Sequence, residues 1–395
     1  MSNPMRPIYL DNAATTPVDR EVAALMAECL TVDGEFGNPS SASHRYGGVA
    51  SARVEAARAE VAASVGAAPR EVIWTSGATE ADNLAIFGAA HYYRDSGRHL
   101  VTSRIEHKAV LDPIRELERG GWQATYLEPD ARGLIHPEQV AAALRPDTVL
   151  VSIMQVNNEI GVIQDIAGIA GVCKRHGARL HVDAAQSLGK CVIRFDEWGV
   201  DLLSLSAHKA YGPKGAGALV MARGADGSGV QLRALQFGGG QERNIRPGTI
   251  ATHQVVGMGR AASLAAAALN SERVRVGALR ERLWLGLAAI GGVIRNGDAE
   301  HSVPQILNVS FEGVEGESLM ASVQGRIAVS SGSACASAAA QPSYVLRALG
   351  RDDVLCESSL RLSLGRLTTE ADIDGAIEVI ARAVPRLRQL NPARP

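Results

Sequence analysis

Seven short apolar runs between residues 71 and 222 constrain the fold more than any other feature of the sequence. They are EVIWT (71–75), HLVTS (99–103), QATYLE (123–128), TVLVSIM (148–154), ARLHVD (178–183), DLLSLS (201–206) and GALVMA (217–222). Several are apolar throughout instead of alternating, the pattern of strands covered on both faces. Amphipathic stretches such as PEQVAAALR and AGIAGVCKRHG lie between many of them. Strand and helix in alternation predict an α/β layer fold with a mostly parallel sheet. Residues 251–290 then read as a long helix, broken near Asn270, that leads into a second unit. That unit has fewer strand patterns (QILNVSF, IAVSS, SLRLSL) and a closing helix, EADIDGAIEVIARAVPRLRQL. A chain of 395 residues is long enough for two such units.

Composition narrows the function classes. A net charge of −2 gives no reason to expect a nucleic-acid or membrane-surface partner. No apolar run approaches the ~18 residues of a membrane span, and MSNPMRPIYLDNAATT lacks the pattern of a secretory signal. The five cysteines (Cys29, Cys173, Cys191, Cys335 and Cys356) are odd in number and show no CxxC spacing. This argues against a disulfide framework or a zinc site and fits a reducing cytoplasm.

In open α/β sheets ligands bind beyond the carboxyl ends of the strands, so the polar residues that follow each run are the candidates for chemistry. After EVIWT, Ala78 and Thr79 open a helix whose free N–H groups could cradle a phosphate; taken alone, the stretch reads more readily as an ordinary capped helix start. Asp183 ends ARLHVD, where a buried carboxylate needs a positive partner. The chain has only five lysines, and Lys209 directly follows DLLSLS on the same rim. Lys108, Lys174, Lys190 and Lys214 read as solvated charges or helix-end pairs. A lysine for a Schiff base, a carboxylate for a pyridine nitrogen and a helix N-terminus for a phosphate are together what pyridoxal 5'-phosphate requires. Neither a P-loop nor a G-x-G-x-x-G after the first strand competes with that reading. Cys335 lies in SSGSACASAAAQPS, a Ser/Gly/Ala run that offers no core to pack against. Free cysteines are more often buried, so this one is either incidental or mounted for movement.

In order along residues 8–390, YLDNAATTP, GNPSSASH, TSGATEADNLAI, EHKAV, VNNEIG, HVDAAQS, SAHKAYGPKG, RPGT and SSGSACAS closely resemble the cysteine desulfurases, in their iron–sulfur-assembly branch. The resemblance implies the fold type I of pyridoxal-phosphate transferases: a mostly parallel seven-stranded sheet in a large domain (17–264), and a smaller α+β domain (265–395) joined by the N-terminal segment 1–16. The small domain carries the cysteine loop, about residues 328–343. Lys209 is implied as the coenzyme-bearing lysine, Asp183 as the partner of the ring nitrogen, Gln186 of the ring hydroxyl, and His107 as the imidazole on the ring face. Ala78, Thr79, Ser206 and His208 resemble the phosphate cradle, and Thr249 the ligand that a second subunit contributes in a homodimer. Asn158 and Arg361 match contacts to coenzyme and substrate carboxylate.

The implied reaction converts L-cysteine to L-alanine and leaves a persulfide on Cys335 for sulfur-acceptor proteins, which makes a mobile tether a requirement. No standing metal is expected; Cys335 is implied at most as a transient iron ligand beside a scaffold partner. The chain stops at RQLNPARP, sooner than housekeeping members of the branch tend to, so tRNA thiolation or another sulfur pathway stays open beside iron–sulfur assembly. Selenocysteine lyase, and a non-catalytic pyridoxal-binding adaptor for sulfur carriers, are the alternative readings.

Overall fold

A computed structural model describes residues 6–223, 229–331 and 342–390. Among them, strand β1 (Ile8–Tyr9) leads to helices α1 (Arg20–Ala27) and α2 (Arg45–Val65). Strand and helix then alternate: β2 (Val72–Thr75), α3 (Ala78–Tyr93), β3 (His99–Ser103), α4 (Lys108–Arg119), β4 (Gln123–Leu127), α5 (Pro137–Ala143), β5 (Thr148–Ser152), α6 (Ile166–His176), β6 (Arg179–Asp183), α7 (Phe195–Trp198), β7 (Leu202–Ser206) and β8 (Gly217–Met221). All seven predicted strands form, within two residues of the predicted ends. They make one sheet in the order β2-β8-β7-β6-β5-β3-β4, parallel except where β8 runs antiparallel to β2 and β7. Every residue of β3, β5, β7 and β8 is buried. Apolar cores lie on both faces, one gathering Val54, Val101, Ile169 and Leu203, the other Ile73, Leu84, Leu100 and Leu202. Burial on both faces is why these strands lack alternation.

Helix α8 (Thr252–Ala288) runs unbroken for 37 residues, so the expected break at Asn270 is absent. Asparagine inside a helix costs only about 0.5 kcal/mol, and packing at both ends outweighs it. Val255, Met258 and Ala262 sit in the core of the large sheet, whereas Val276, Leu279, Leu283 and Leu287 enter a second core. Between Ala265 and Val276 no α8 residue is buried, which locates the span that joins the two.

The second core lies under an antiparallel sheet, ordered β12-β13-β10-β9: β9 (Val293–Asn296), β10 (Ile306–Phe311), β12 (Ser330–Ser331) and β13 (Ser359–Ser363). Helices α9 (Gly316–Val323), α10 (Tyr344–Ala348), α11 (Asp353–Glu357) and α12 (Glu370–Leu390) accompany it, and β11 (Ile327–Ala328) pairs in parallel with β1. Leu10, just past β1, is buried in this second core.

The turn at Glu242–Asn244 follows the large sheet and holds three successive left-handed residues, with φ of 45°, 59° and 63°. Such a conformation persists only where the surroundings enforce it. Here Glu242 accepts from both terminal nitrogens of Arg58 at 2.8 Å, and from the Trp74 N–H at 2.8 Å. The pair is buried against α2 and β2, and removing one partner strands the other's charge. Glu242→Ala is expected to lower the unfolding free energy by about 3 kcal/mol, measured by urea denaturation; a change below about 0.5 kcal/mol would show the pair to be idle.

Candidate active site

The carboxyl ends of β2, β5, β6 and β7 open onto a cavity of about 420 Å³. Ala78, Thr79, His107, Asn158, Asp183, Gln186, Ser206, His208 and Lys209 all line it. Nine of the twelve residues singled out from the sequence are thereby brought together.

One end of the cavity is the start of α3. Its N-cap, Gly77, supplies no side chain, and Ser76, Gly77, Ala78 and Thr79 face the opening. The first-turn N–H groups and the helix dipole favour an anion there. A Cβ on Gly217 would lie 2.5 Å from the Gly77 Cα, so only glycine lets β8 approach this turn. Burial works to raise the Glu80 carboxyl, yet hydrogen bonds from Arg246 at 2.7 and 3.2 Å and from the Ser76 N–H hold it below its ordinary value.

Two buried carboxylates, Asp82 and Asp183, also line the cavity. Asp183 accepts from the Ala185 N–H at 2.8 Å; burial, then the charge of Asp82, push its carboxyl up, while His107 and Lys209 oppose the rise. Asp82 is fully buried, and neither carboxylate oxygen has a hydrogen bond; His181 Nε2 lies 3.5 Å away. Burial pushes Asp82 up to about 7. The Asn158 Oδ1 is also buried without a partner.

His107 caps α4, and its Nδ1 accepts from the Ala109 N–H at 3.1 Å, which leaves the ring proton on Nε2. Burial lowers its pKa against the pull of Asp183. His208 meets the Thr15 hydroxyl at 3.2 Å and is pushed down to about 4 by burial and then by Lys209, Lys214 and Lys190. Both imidazoles are therefore neutral near pH 7.

Two expected residues lie outside the cavity lining, and a third is not among the described residues. Arg361, on β13, is buried outside the cavity lining; it donates to the Asn158 carbonyl at 3.0 Å, Asp11 at 2.9 Å and Ser330 at 3.0 Å, while its Nε has no partner. Thr249 is exposed and outside the cavity. Cys335 falls outside the described residues. Of the other cysteines, Cys29, Cys173 and Cys356 are buried and Cys191 is half-buried. Cys356 packs with Ile105, Val162 and Leu346, away from the cavity. Among the described residues no group of His, Cys, Asp and Glu could hold a metal ion, and no helix is long and apolar enough to cross a membrane.

Sequence reasoning missed two features. Ala14 and Thr15, from the YLDNAATTP motif, also line the cavity. Lys190, read as a solvated charge, is buried instead, and its Nζ donates to Gln186 Oε1. Gly189 turns the chain with a φ of 71°, where a Cβ would lie 2.7 Å from Ala265 on α8. The next side chain is thus directed inward.

Residues 8–375 match the class-V aminotransferase family. A cysteine desulfurase IscS of Methylococcus capsulatus is 56% identical over 386 residues, covering 98% of this chain and 94% of that protein. The chain belongs to the cysteine desulfurases. Among solved structures, a NifS-like protein superposes with a TM-score of 0.89 at 34% identity, covering 97% of this chain and 100% of its own. SspA in complex with cysteine gives 0.79 at 37% identity, over 90% and 98%.

Cysteine desulfurases are pyridoxal-phosphate enzymes of fold type I, as the sequence led us to expect. The cavity fits that coenzyme: an uncapped helix start for the phosphate, buried carboxylates for a protonated ring nitrogen, and a lysine in the same wall. Gly217→Ala is expected to force Gly77 and the start of α3 apart from β8. Retention of pyridoxal phosphate on dialysis should fall by about tenfold, in line with loss of one good anion contact; unchanged retention would remove the close approach from the account.

Proposed function

We propose that this cavity is where L-cysteine is converted to L-alanine, its sulfur passing to the thiol of Cys335 to form a persulfide. The reaction balances: the substrate C–S bond breaks, an S–S bond forms at Cys335, and the thiol proton replaces sulfur on the product. Within the desulfurase family to which the chain belongs, the observation that carries this assignment of roles is the convergence of nine expected residues on one cavity.

Pyridoxal phosphate, held by Lys209, supplies the electron sink that allows a bond at the amino-acid Cα to break. Lys209 moves the Cα proton at Nζ. Asp183 keeps a negative charge against the ring nitrogen, and Gln186 meets the ring hydroxyl. His107, neutral and carrying its proton on Nε2, lies along the cavity wall to cover the ring face and exchange protons. Ala78, Thr79, Ser206 and His208 bind the phosphate. Arg361 takes the substrate carboxylate, helped by Asn158; its guanidinium is already arranged for oxyanions by Asp11 and Ser330. A protein of similar structure binds cysteine, which supports this amino acid as substrate.

Thr249 serves a second copy of the chain, so the enzyme works as a homodimer. Its exposure, and that of Phe237 on the same segment, support this reading. The two apolar cores support a division into a large coenzyme-binding domain and a smaller C-terminal one. Sulfur acceptors are proteins, an iron–sulfur scaffold or a sulfur carrier, and the reaction takes place in the cytoplasm.

Two variants test the roles. Lys209→Ala is expected to lose the visible coenzyme band and to cut alanine formation by about 10²–10⁴-fold, the range for a lost proton-transfer group. Cys335→Ser should keep the band and lose sulfide release with dithiothreitol. A Cys335→Ser enzyme that still desulfurates at the wild-type rate overturns the nucleophile assignment.

A further inference from the structure

The amide of Gln186 lines the cavity, and its orientation is determined from two sides. Its Nε2 donates to the Ala13 carbonyl at 2.8 Å, an atom that can only accept. Its Oε1 accepts from the Lys190 Nζ. One Nε2–H remains, and it is the only Gln186 donor left for an occupant of the cavity. Without Lys190, the buried carbonyl oxygen would lose its donor and the amide would be free to turn.

Lys190 has no structural alternative that accounts for its position. It is 7% exposed, and its nearest charged company is cationic, Lys209 and Arg361. Burial, with those like charges, pushes its amine down to about 7. A buried lysine without a carboxylate is costly, and a hydrophobic side chain would fill the place at less cost. Either protonation state of the amine keeps an N–H for Gln186, so the bond to Oε1 does not depend on the charge.

We propose that Lys190 is a positioning residue: it fixes the Gln186 amide so that the cavity receives an N–H donor and not a carbonyl, which selects an oxyanion on the coenzyme ring at that point. The proposal rests on the reading of the cavity as the pyridoxal-phosphate site. An anionic ring oxygen gains from a donor and is repelled by a carbonyl dipole, and a hydrogen bond to a charged group is roughly twice as strong as a neutral one. Gln186 is the one hydrogen-bond partner of the Lys190 amine among the described residues, so its influence is exerted through the amide.

The test compares purified Lys190→Met, Lys190→Arg, Gln186→Leu and the double variant Lys190→Met/Gln186→Leu. Three quantities are measured: coenzyme dissociation by dialysis, the position of the visible absorption band, and melting of the apoprotein. Lys190→Met and Gln186→Leu should each release the coenzyme about tenfold more readily, shift the band in the same direction, and leave apoprotein melting near wild type. The double variant should lose no more than Gln186→Leu alone, and Lys190→Arg, which keeps a donor, should retain the wild-type band. A wild-type band and affinity in Lys190→Met, or additive losses in the double variant, overturn the proposal. If Lys190→Met does not fold, Lys190→Arg and Gln186→Leu decide: a Gln186→Leu band at the wild-type position, or a Lys190→Arg band displaced like that of Gln186→Leu, overturns it equally. Failure of the unaltered protein to take up pyridoxal phosphate would instead overturn the reading of the cavity.

Discussion

Ionisable groups kept out of water at one rim of a sheet covered on both faces are the constraint on which the site depends. Asp82, Asp183, Glu106, His181 and Lys190 are all buried, and each would be more comfortable solvated. The cost is offset where hydrogen-bond partners are at hand, as for Asp183, His181 and Lys190. His181, for example, holds the Ser152 hydroxyl at 2.8 Å and the Ser204 hydroxyl at 3.0 Å, linking β5, β6 and β7 through side chains. A polar stripe of this kind in an otherwise apolar layer makes structural sense only beside a polar cavity.

The second core takes part through position rather than through the cavity wall. Helix α8 packs against α2 and the large sheet at its first half and under the antiparallel sheet at its second. The N-terminal segment adds a separate tie. Leu10 enters the second core, Asp11 meets Arg361 and Ser330 there, and Thr15 and Thr16 meet His208 beside the cavity. The segment Asp11–Thr16 therefore runs from the arginine of β13 to His208 in the cavity wall.

Much of this was legible in the sequence, for identifiable reasons. Unbroken apolar runs mark strands buried on both faces, and the seven runs of the large sheet had no competing helix period. Strands β1 and β9 carried no such mark: β1 has two residues, and β9, VIRN, is only half-buried over most of its length. Asp183 and Lys209 could be placed because they end or follow strands. Lys190 could not, because a lysine after Ser-Leu-Gly in a turn looks like any surface lysine. At Gly189 the chain runs so close to Ala265 on α8 that a Cβ would lie 2.7 Å from it, and such long-range packing leaves no local trace. Arg361 was assigned through its motif, yet its engagement with Asp11 is again a tertiary fact.

The arrangement of charge around the cavity follows from three neighbouring carboxyls competing in a medium of low polarity. Like charges so placed cannot all ionise. Burial pushes Glu106 up to about 8 and Asp82 up to about 7, and for Glu106 the charges of Asp183 and Asp82 add to the rise. Asp183 is raised too, but Lys209 draws it toward the anion and the Ala185 N–H is bound to its oxygen. The rise at Asp82 weakens the like charge acting on Asp183 and so favours ionised Asp183. Negative charge is then favoured at the end of β6, in the same cavity as the helix start that favours an anion. A polar bound molecule would be oriented by these two ends alone, its cationic part toward Asp183 and its anionic part toward α3.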